Sequence, residues 1–370
     1  KLNNKSFKVV DYCELVTPLT AEVTGKYEMD FYKGKKVFVT GDTGFKGTWL
    51  CKLLTMAQAE VTGYALPPAS REAAEVFHRS GVAERIWHVD GDVRDYATLH
   101  KAFEAAAPEI VFHLAAQPLV LKSYDNPLET YAINVMGTAN LLECARHSRS
   151  VRSLLNVTTD KVYENKEWCW GYRETDVLNG YDPYSNSKSC SELVTSSYRK
   201  SFLHPAGIAV STARAGNVIG GGDFAENRII PDCIRAVTSG KEIAIRSPHS
   251  VRPYQHVLEP LAAYLLLAAR QMDNPELSGC YNIGPDDTDC TTTEKLVQLF
   301  CRAWGDGATW RWINAVQPHE ANFLKLDCSR IKAVLGWQPQ LRKQAHGIFR
   351  INLRTDDIDC LGNVEMDKDR

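Results

Sequence analysis

The stretch Thr40-Gly41-Asp42-Thr43-Gly44-Phe45-Lys46-Gly47 decides the fold of this chain. A β-branched and aromatic run, Val37-Phe38-Val39, precedes it, and helically spaced apolar residues follow it up to Ala57. Glycines in this context let backbone N–H groups approach a pyrophosphate at a helix N-terminus, which carries partial positive charge. The stretch therefore predicts a dinucleotide site after the first strand of a Rossmann-type domain.

Strand and helix patterns alternate outward from this loop as far as residue 215. The continuous apolar run Ile110–Leu114 is typical of a parallel strand buried on both faces. We predict an α/β fold: a doubly wound parallel sheet of Rossmann type with a smaller α/β C-terminal substrate lobe. The other predicted strands are Glu60–Leu66, Ile86–Val89, Leu154–Val157 and Ile208–Thr212, and the predicted helices are Leu99–Ala106, Leu128–Arg146 and Tyr184–Arg199.

The pattern divides the chain into segments. Residues 1–32 form an N-terminal extension of unknown role, and residues 33–215 form the NAD-binding Rossmann domain. Gly220-Gly221-Gly222 and scattered prolines break up residues 216–345, which we interpret as mainly a substrate-binding lobe with some segments returning to the first domain. Residues 346–370 are expected to be a surface tail.

Composition narrows the class of protein. Lys plus Arg number 43 and Asp plus Glu 45, so a net charge of -2 gives no field for binding nucleic acid or an anionic membrane. No apolar run approaches the ~20 residues that span a bilayer, and no signal-type stretch follows Lys1. The 11 cysteines lack C-x-x-C or metal-ligand spacing. We expect a cytoplasmic protein with reduced thiols and no metal.

Two details depart from the simplest NAD site. An acid is expected about 20 positions after the loop to bind the ribose hydroxyls, but Ala65 and Leu66 stand there. Arg71, shortly afterwards, could instead meet the 2′-phosphate of NADP. Asp42 is an acid inside an anion-binding loop, so we expect it to point outward or to bond to a backbone amide.

Tyr184 and Lys188 lie four residues apart on one face of a predicted helix. A phenol with a pKa of ~10 is a poor base near neutrality, but a close ammonium and an oxidised nicotinamide favour the phenolate. Tyr32 and Lys36 have the same spacing, yet they precede the first strand, so we assign them no catalytic role. The first pair follows Thr159, a hydroxyl at a strand end, and this arrangement suits proton removal from a secondary alcohol.

Together these motifs resemble an extended short-chain dehydrogenase/reductase, most closely its CDP-glucose 4,6-dehydratase branch. The resemblance covers about residues 31–340. It implies NAD as cofactor. The stretches that carry it are the glycine loop, His113–Pro118, Asn134 in Asn-Val-Met-Gly-Thr, Thr158–Tyr163, Trp168–Glu174, Tyr184 with Lys188, Arg214–Asp223 and Arg252–Val257. The cofactor-binding residues that it implies are Gly41, Thr43, Gly44, Phe45, Lys46, Gly47, Asp92, Val93, Ala115, Ala116, Gln117, Asn134, Thr158, Tyr184 and Lys188.

The resemblance also implies a lyase that uses internal redox chemistry. Tyr184, assisted by Thr159 and Lys188, would remove the C4 hydroxyl proton of CDP-D-glucose while hydride passes to NAD. The 4-ketone acidifies C5–H, water leaves across C5 and C6, and hydride returns to C6. The product, CDP-4-keto-6-deoxy-D-glucose, would feed deoxysugar biosynthesis for surface polysaccharide such as lipopolysaccharide O-antigen.

The elimination needs an acid and a base beside Thr159. In related dTDP-glucose dehydratases an Asp–Glu pair fills these roles, and the matching residues here are Asp160 and Lys161. Asp160 is the acid if the site raises its pKa. Lys161 is either a base that burial keeps neutral, a cation that stabilises the enolate, or a solvated loop lysine.

Substrate contacts follow from the same resemblance. Arginine suits a sugar diphosphate because its planar fork bonds two oxygens at once. A homo-oligomer, dimer or tetramer, is expected by analogy with the superfamily. The implied substrate-binding residues are Gln117, Asn217, Arg228, Arg252, His256, His319 and Glu320, and Lys325 is placed near the nucleotide with the last two.

Other functions remain open. The same scaffold serves 4-epimerases, reductases and 4,6-dehydratases for other nucleotides, but an epimerase has no need of Asp160 and Lys161 beside Thr159. A non-catalytic NAD-sensing scaffold would keep the glycine loop without needing Thr159, Tyr184 and Lys188 together.

Overall fold

A parallel β-sheet forms the centre of the protein, which a computed structural model describes over residues 26–305, 307–313 and 321–341. The strands are β1 (Lys36–Thr40), β2 (Glu60–Ala65), β3 (Trp87–Asp90), β4 (Ile110–His113), β5 (Ser153–Val157), β6 (Ala209–Ala215), β7 (Val218–Ile219), β8 (Ile243–Ile245), β9 (Val251–Arg252), β10 (Gln255–His256), β11 (Cys280–Ile283), β12 (Thr291–Thr292) and β13 (Trp310–Trp312). Seven of them form the main sheet in the order β11-β6-β5-β4-β1-β2-β3.

The order of the strands reverses beside β1. This strand pairs in parallel with β2 on one side and with β4 on the other. In such sheets ligands bind outside the carboxyl ends of the strands at the point of reversal. All residues of β4, β5 and β6 are buried, as expected for parallel strands covered on both faces. The predicted doubly wound parallel sheet is confirmed.

Helices cover both faces of the sheet. Several begin at a side-chain cap: Asp95 accepts the N–H of Thr98, and Asp182 accepts the N–H of Ser185. The predicted helix Leu128–Arg146 is interrupted by a π-helical turn, Ala132–Met136. The helices are α1 (Lys26–Phe31), α2 (Phe45–Met56), α3 (Arg71–Arg79), α4 (Tyr96–Ala106), α5 (Val120–Asp125), α6 (Pro127–Tyr131), α7 (Gly137–His147), α8 (Pro183–Tyr198), α9 (Ile229–Thr238), α10 (Leu258–Asp273), α11 (Thr293–Trp304) and α12 (Ser329–Leu335).

Two apolar layers hold these helices on the sheet. On one face α2 and α10 bury residues such as Leu50 and Leu261 against the strands. On the other face α4 and α7 bury Phe103 and Leu142. Each fully buried Leu or Phe stabilises the fold by about 1.5–3 kcal/mol relative to exposure. The sheet is thereby fixed from both sides, and its carboxyl edge becomes a rigid platform.

The chain after residue 216 forms a third apolar cluster and also rejoins the sheet. Ile230, Ile243 and Phe300 belong to this separate cluster, which links α9, β8 and α11. Strand β11 pairs in parallel with β6, and α10 packs on the main sheet. The chain after residue 216 is therefore interleaved with the Rossmann unit.

The end of the N-terminal extension packs into the core. Tyr32 is fully buried, and its hydroxyl donates to the backbone oxygen of Leu265 at 2.9 Å. Lys36 begins β1 with its side chain exposed. Residues 1–25 and the tail at 346–370 lie outside the described residues. Among the residues described, no helix is both long and apolar enough to cross a membrane.

Candidate active site

The loops that leave β1, β4 and β5 converge at the carboxyl edge of the sheet. The glycine loop follows β1, the segment with Ala115 and Gln117 follows β4, and Thr158 to Lys161 follow β5. These three strands are neighbours in the sheet. The topology therefore brings three of the sequence motifs into one region.

The glycine loop turns tightly between β1 and α2, with backbone packed closely against two of its glycines. Gly41 has a φ of +79°, and a Cβ there would lie 2.8 Å from the backbone nitrogen of Ala115. A Cβ on Gly47 would lie 1.9 Å from the oxygen of Gly41. Gly44 is exposed immediately before α2 begins at Phe45. The loop thus fits a dinucleotide, because its glycines allow a tight turn that places the N-terminus of α2 directly after the strand end.

Asp42 does not follow our expectation. It is fully buried, and its Oδ2 lies 2.6 Å from Nδ1 of His88 on β3. The carboxylate rests against Gly63 of β2, where a Cβ would lie 2.3 Å from Oδ2. The prediction that Asp42 points outward or bonds to a backbone amide is wrong, because the carboxylate is directed inward and contacts His88 on β3.

The end of β2 provides no carboxylate of its own. Thr43 donates to the backbone oxygen of Leu66 at 2.8 Å, which ties the glycine loop to this strand end. Ala65 is in register with Asp90 on β3, so an acid lies on the adjacent strand. Arg71 opens α3 with its side chain exposed.

Asp92 and Val93, two of the predicted cofactor-binding residues, lie after β3. Both carboxylate oxygens of Asp92 accept hydrogen bonds from Arg94, and the pKa of Asp92 is held below its usual value by that contact. Val93 is buried, and a Cβ on Gly137 would lie 2.6 Å from its Cγ2. These residues shape the edge of the site beside the start of α7.

Gln117 and Asn134 are buried and hydrogen-bonded to each other beside the predicted cofactor site. The N–H of Gln117 donates to Oδ1 of Asn134 at 2.9 Å, and Nδ2 of Asn134 donates to the oxygen of Gln117 and to Ser187. The Gln117 side chain is also engaged, because its amide donates to Thr130. The π-helical turn carries Asn134. Asn134 therefore holds the loop after β4 against α8, whereas the side chain of Gln117 ties the same loop to α6.

Tyr184 and Lys188 lie on α8 and are nearly buried. Burial raises the pKa of Tyr184 to about 12, while its hydrogen bond with Thr159 and the charge of Arg228 oppose that rise. Burial lowers the pKa of Lys188 to about 8, and its Nζ donates to the oxygen of Val157 at 3.2 Å. At neutral pH the lysine is charged and the phenol is protonated, so further positive charge is needed to form the phenolate.

Thr159 connects Tyr184 to Asp160. Its hydroxyl donates to Oδ1 of Asp160 at 3.0 Å and shares a hydrogen bond with Tyr184. Asp160 is 2% exposed, and its Oδ2 has no hydrogen-bond partner. Burial raises the pKa of Asp160, which favours the protonated acid. Lys161 follows in the same 3-10 turn, Asp160–Val162.

Several cations surround this row of residues. Burial, followed by the charges of Arg228 and Lys188, lowers the pKa of Lys46 to about 8, and Asp160 acts on the same ammonium. Arg228 donates to Asp223 at 3.1 Å. The glycine loop, α8 and the chain after residue 216 thus contribute charges to one region.

The remaining predicted substrate residues lie along the lobe. Arg252 is 3% exposed and donates to the backbone oxygens of Val251 and Ala321. The oxygen of Asn217 accepts the N–H of Gln255. Burial lowers the pKa of His256 to about 4, so this ring is neutral. Lys325 pairs with Asp287, while His319 and Glu320 lie outside the described residues.

Sequence reasoning missed a buried ion pair beside the site. Glu192 on α8 and Arg214 on β6 are 2.9 Å apart and almost fully buried. The four-residue spacing from Lys188 to Glu192 was the available signal, since it places both on one face of a helix. Its partner on β6 is distant in sequence and leaves no local pattern.

Known proteins resemble this chain in sequence and in fold. The sequence pattern of the family described as GDP-mannose 4,6 dehydratase matches residues 38–346. A CDP-glucose 4,6-dehydratase of Salmonella typhimurium is 47% identical over 320 residues, which cover 85% of this chain and 88% of that protein.

Two solved structures share the fold at lower identity. The epimerase Mth375 of Methanothermobacter thermautotrophicus has a TM-score of 0.76 at 21% identity, covering 86% of this chain and 91% of that one. DesIV, a dTDP-glucose 4,6-dehydratase of Streptomyces venezuelae with NAD and TYD bound, has a TM-score of 0.72 at 24% identity, covering 83% and 92%. At these identities the likeness establishes the architecture alone.

Proposed function

This chain belongs to the GDP-mannose 4,6 dehydratase family, and from that membership we propose that it is an NAD-dependent CDP-glucose 4,6-dehydratase. The resemblance drawn from the sequence motifs is confirmed by the 47% identity to a protein of that name. The observation that carries the proposal is the buried row Tyr184–Thr159–Asp160, which joins a phenol, a hydroxyl and a carboxyl group by hydrogen bonds. An alcohol oxidation followed by loss of water needs these groups side by side.

The residues for holding NAD are those of the carboxyl edge. Gly41, Gly44 and Gly47 are proposed to contact the pyrophosphate, and the ammonium of Lys188 is proposed to bond the nicotinamide ribose. When bound, NAD accepts the hydride from C4 of the sugar and returns it at C6. The preference for NAD over NADP is assigned to the Asp90 carboxylate, which is in register with Ala65. A carboxylate near the ribose disfavours binding of a 2′-phosphate.

Tyr184 is the proposed base for the C4 hydroxyl. Lys188, charged below its pKa of about 8, stabilises the phenolate electrostatically. Thr159 bonds both Tyr184 and Asp160, so it can hold the sugar hydroxyl at the end of the row. The proton of the C4 hydroxyl moves to the phenolate oxygen of Tyr184.

Asp160 is the proposed acid for the departing C6 hydroxyl. Burial favours its protonated form, and the unpartnered Oδ2 is available to donate. A Cβ on Gly216 would lie 3.3 Å from this oxygen, so the acid faces the start of the substrate lobe. Lys161 either removes the C5 proton as a neutral amine or stabilises the enolate as a cation.

The substrate diphosphate is assigned to the cations of the lobe. Arg228 is half-buried beside Asp223, and Arg252 presents a buried guanidinium at β9. Both suit bidentate phosphate contacts. Asn217 and His256 line the same lobe, and Gln117, His319 and Glu320 remain predicted contacts.

We further propose a homo-oligomer formed through the helix that carries Tyr184. Leu193 on α8, Leu128 on α6 and Met136 in the π-helical turn are apolar and exposed, at 57%, 86% and 57%. The two regions are joined by the hydroxyl of Tyr131, which donates to Asn186 at 2.9 Å. Apolar side chains exposed on adjoining helices indicate an interface with a second copy. Whether the assembly is a dimer or a tetramer is open.

The site of action is proposed to be the cytoplasm. The nine cysteines among the described residues are all free thiols, as is usual in a reducing compartment. The product would enter deoxysugar biosynthesis for surface polysaccharide.

The test is a panel of CDP-, dTDP-, UDP- and GDP-linked glucose, each assayed with NAD or NADP. We expect CDP-glucose with NAD to give a 4-keto-6-deoxy product, detected by its alkali-induced absorbance and by mass loss of one water. Clean formation of the 4-epimer would instead assign the chain to the epimerases. Binding of NAD without turnover of any sugar would favour a scaffold role.

A further inference from the structure

Glu192 lies one helical turn after Lys188 and is saturated with hydrogen bonds. Its Oε1 accepts from Thr158 at 2.5 Å and from Nε of Arg214 at 3.0 Å. Its Oε2 accepts from Thr212 at 2.7 Å and from Nη2 of Arg214 at 2.9 Å. The carboxylate is 2% exposed. Removing one partner of such a pair leaves the other charge buried and uncompensated.

Arg214 extends this contact to the far side of the catalytic turn. Its Nη1 donates to the hydroxyl of Tyr163 at 2.9 Å, and its guanidinium lies 5.1 Å from the centre of that ring. The Tyr163 hydroxyl in turn donates to Oδ1 of Asn282 on β11 at 2.5 Å. Tyr163 is therefore fixed both to the ion pair and to the edge of the sheet.

The two contacts bracket the residues that do the proposed chemistry. Thr158 stands immediately before Thr159, and Tyr163 stands immediately after the 3-10 turn Asp160–Val162. One ion pair thus holds both ends of the segment that carries Thr159, Asp160 and Lys161. A turn pinned at one end could rotate about that end, whereas two anchors fix its orientation relative to α8.

Glu192 also acts on Lys188 through its charge. It opposes the lowering by burial of the Lys188 pKa, so the ammonium persists to higher pH than it otherwise would. The charge of Lys188 also acts on Lys46 on α2 and on His113 on β4, and Arg214 on β6 pairs with Glu192.

We propose that the Glu192–Arg214 pair positions the active-site residues. It holds the turn that carries Thr159, Asp160 and Lys161 against the helix that carries Tyr184 and Lys188. The inference rests on the proposed function for the roles of those residues. Glu192 is a positioning residue, since its contacts reach the reacting groups only through Thr158, Lys188 and Arg214.

The test compares Glu192→Gln with Thr212→Val. Glu192→Gln keeps the shape but removes the charge, whereas Thr212→Val removes one hydrogen bond to the same carboxylate from a strand outside the turn. We expect Glu192→Gln to lower kcat on CDP-glucose by about tenfold or more with little change in KM. The basic limb of its pH–rate profile should move to lower pH, while the profile of Thr212→Val stays where it is.

A second variant tests the same inference if Glu192→Gln fails to fold. Tyr163→Phe keeps the ring and removes the hydroxyl that joins Arg214 to Asn282. It should lower kcat without moving the pH profile, because the charge beside Lys188 is intact. Thermal unfolding of each variant reports whether the fold survives.

Titration of Lys188 itself separates this inference from the proposed reaction. Competitive acetylation of the full-length protein, without sugar, followed by peptide mass spectrometry, gives the pKa of Lys188 in wild type and Glu192→Gln. A lower value in the variant supports the inference even if CDP-glucose is not turned over, which would contradict only the proposed function. An unmoved Lys188 pKa together with a wild-type kcat in both Glu192→Gln and Tyr163→Phe would overturn it.

Discussion

Nδ1 of His88 lies 2.6 Å from Oδ2 of Asp42, and this contact ties the glycine loop to strand β3. The second ring nitrogen faces Asp90 at 3.1 Å, so the imidazole stands between two carboxylates. An acid in a loop that binds an anion is unfavourable unless a cation neutralises it. Through its contact with His88, Asp42 helps to hold the glycine loop in place when the ring is protonated.

The first prediction concerns pH and this pair. The hydrogen bond to Asp42 raises the pKa of His88, so the protonated ring stabilises the folded loop below that pKa and the contribution is lost as pH rises through it. NAD affinity should fall over the same window, because Asp42 is no longer neutralised. His88→Gln should destabilise the protein by about 1–3 kcal/mol and flatten the pH dependence, measured by NAD titration and urea unfolding. An unchanged pH dependence of NAD binding in His88→Gln would contradict this role.

The second prediction concerns the two tyrosines with the same local spacing. Tyr184→Phe should lower kcat at least ~100-fold, since it removes the proposed base, while NAD still binds. Tyr32→Phe is the matched control: it should keep full activity and lose about 1 kcal/mol of stability with the hydrogen bond to Leu265. Steady-state rates, NAD titration and thermal unfolding of both variants check this. Retained turnover in Tyr184→Phe would remove that residue from the mechanism.

The third prediction separates oxidation from elimination. Asp160→Asn keeps the size of the side chain but cannot supply the proton to the C6 hydroxyl, so the elimination should slow by about 100-fold or more. Reduced cofactor should then accumulate after mixing with CDP-glucose, visible in stopped-flow absorbance. Burial raises the pKa of Asp160, so in the wild type the elimination should weaken as pH rises through that value. Rapid release of the 4-keto-6-deoxy product by Asp160→Asn would assign the acid elsewhere.

The fourth prediction concerns diphosphate binding at the start of α9. Arg228→Lys replaces a planar fork by a point charge, so KM for CDP-glucose should rise by about tenfold with a smaller change in kcat. Arg235→Lys, on the exposed side of the same helix and paired with Asp232, should leave KM unchanged. Equal KM values for the two variants and the wild type would move the diphosphate away from Arg228.

Local patterns in the sequence were sufficient for the fold. Strand β4 begins with the continuous apolar run Ile110-Val111-Phe112, and its burial on both faces follows from composition alone. The glycine loop between β1 and α2 fixes where the first crossover begins. Each of these signals lies within about ten residues, so no knowledge of distant partners is needed.

The chemistry of the site could be predicted only where a motif is local. Thr159, Asp160 and Lys161 are consecutive, and Tyr184 with Lys188 are one helical turn apart. In contrast, Asp42 contacts a histidine 46 positions away, and Glu192 pairs with an arginine 22 positions away. Such pairs depend on strand order, which brings distant residues together, and no spacing rule announces them.

The pairing of β11 with β6 joins two strands that are synthesised at different times. All seven residues of β6 are buried in the finished sheet, yet Cys280–Ile283, which covers its outer edge, is synthesised much later. At about 5–20 residues per second, the nascent sheet waits several seconds with the unpaired backbone N–H and C=O groups of the β6 edge exposed. The Rossmann unit therefore cannot be expressed without the later chain. A chain cut after residue 216 would expose β6 as an open edge strand, and we expect it to aggregate.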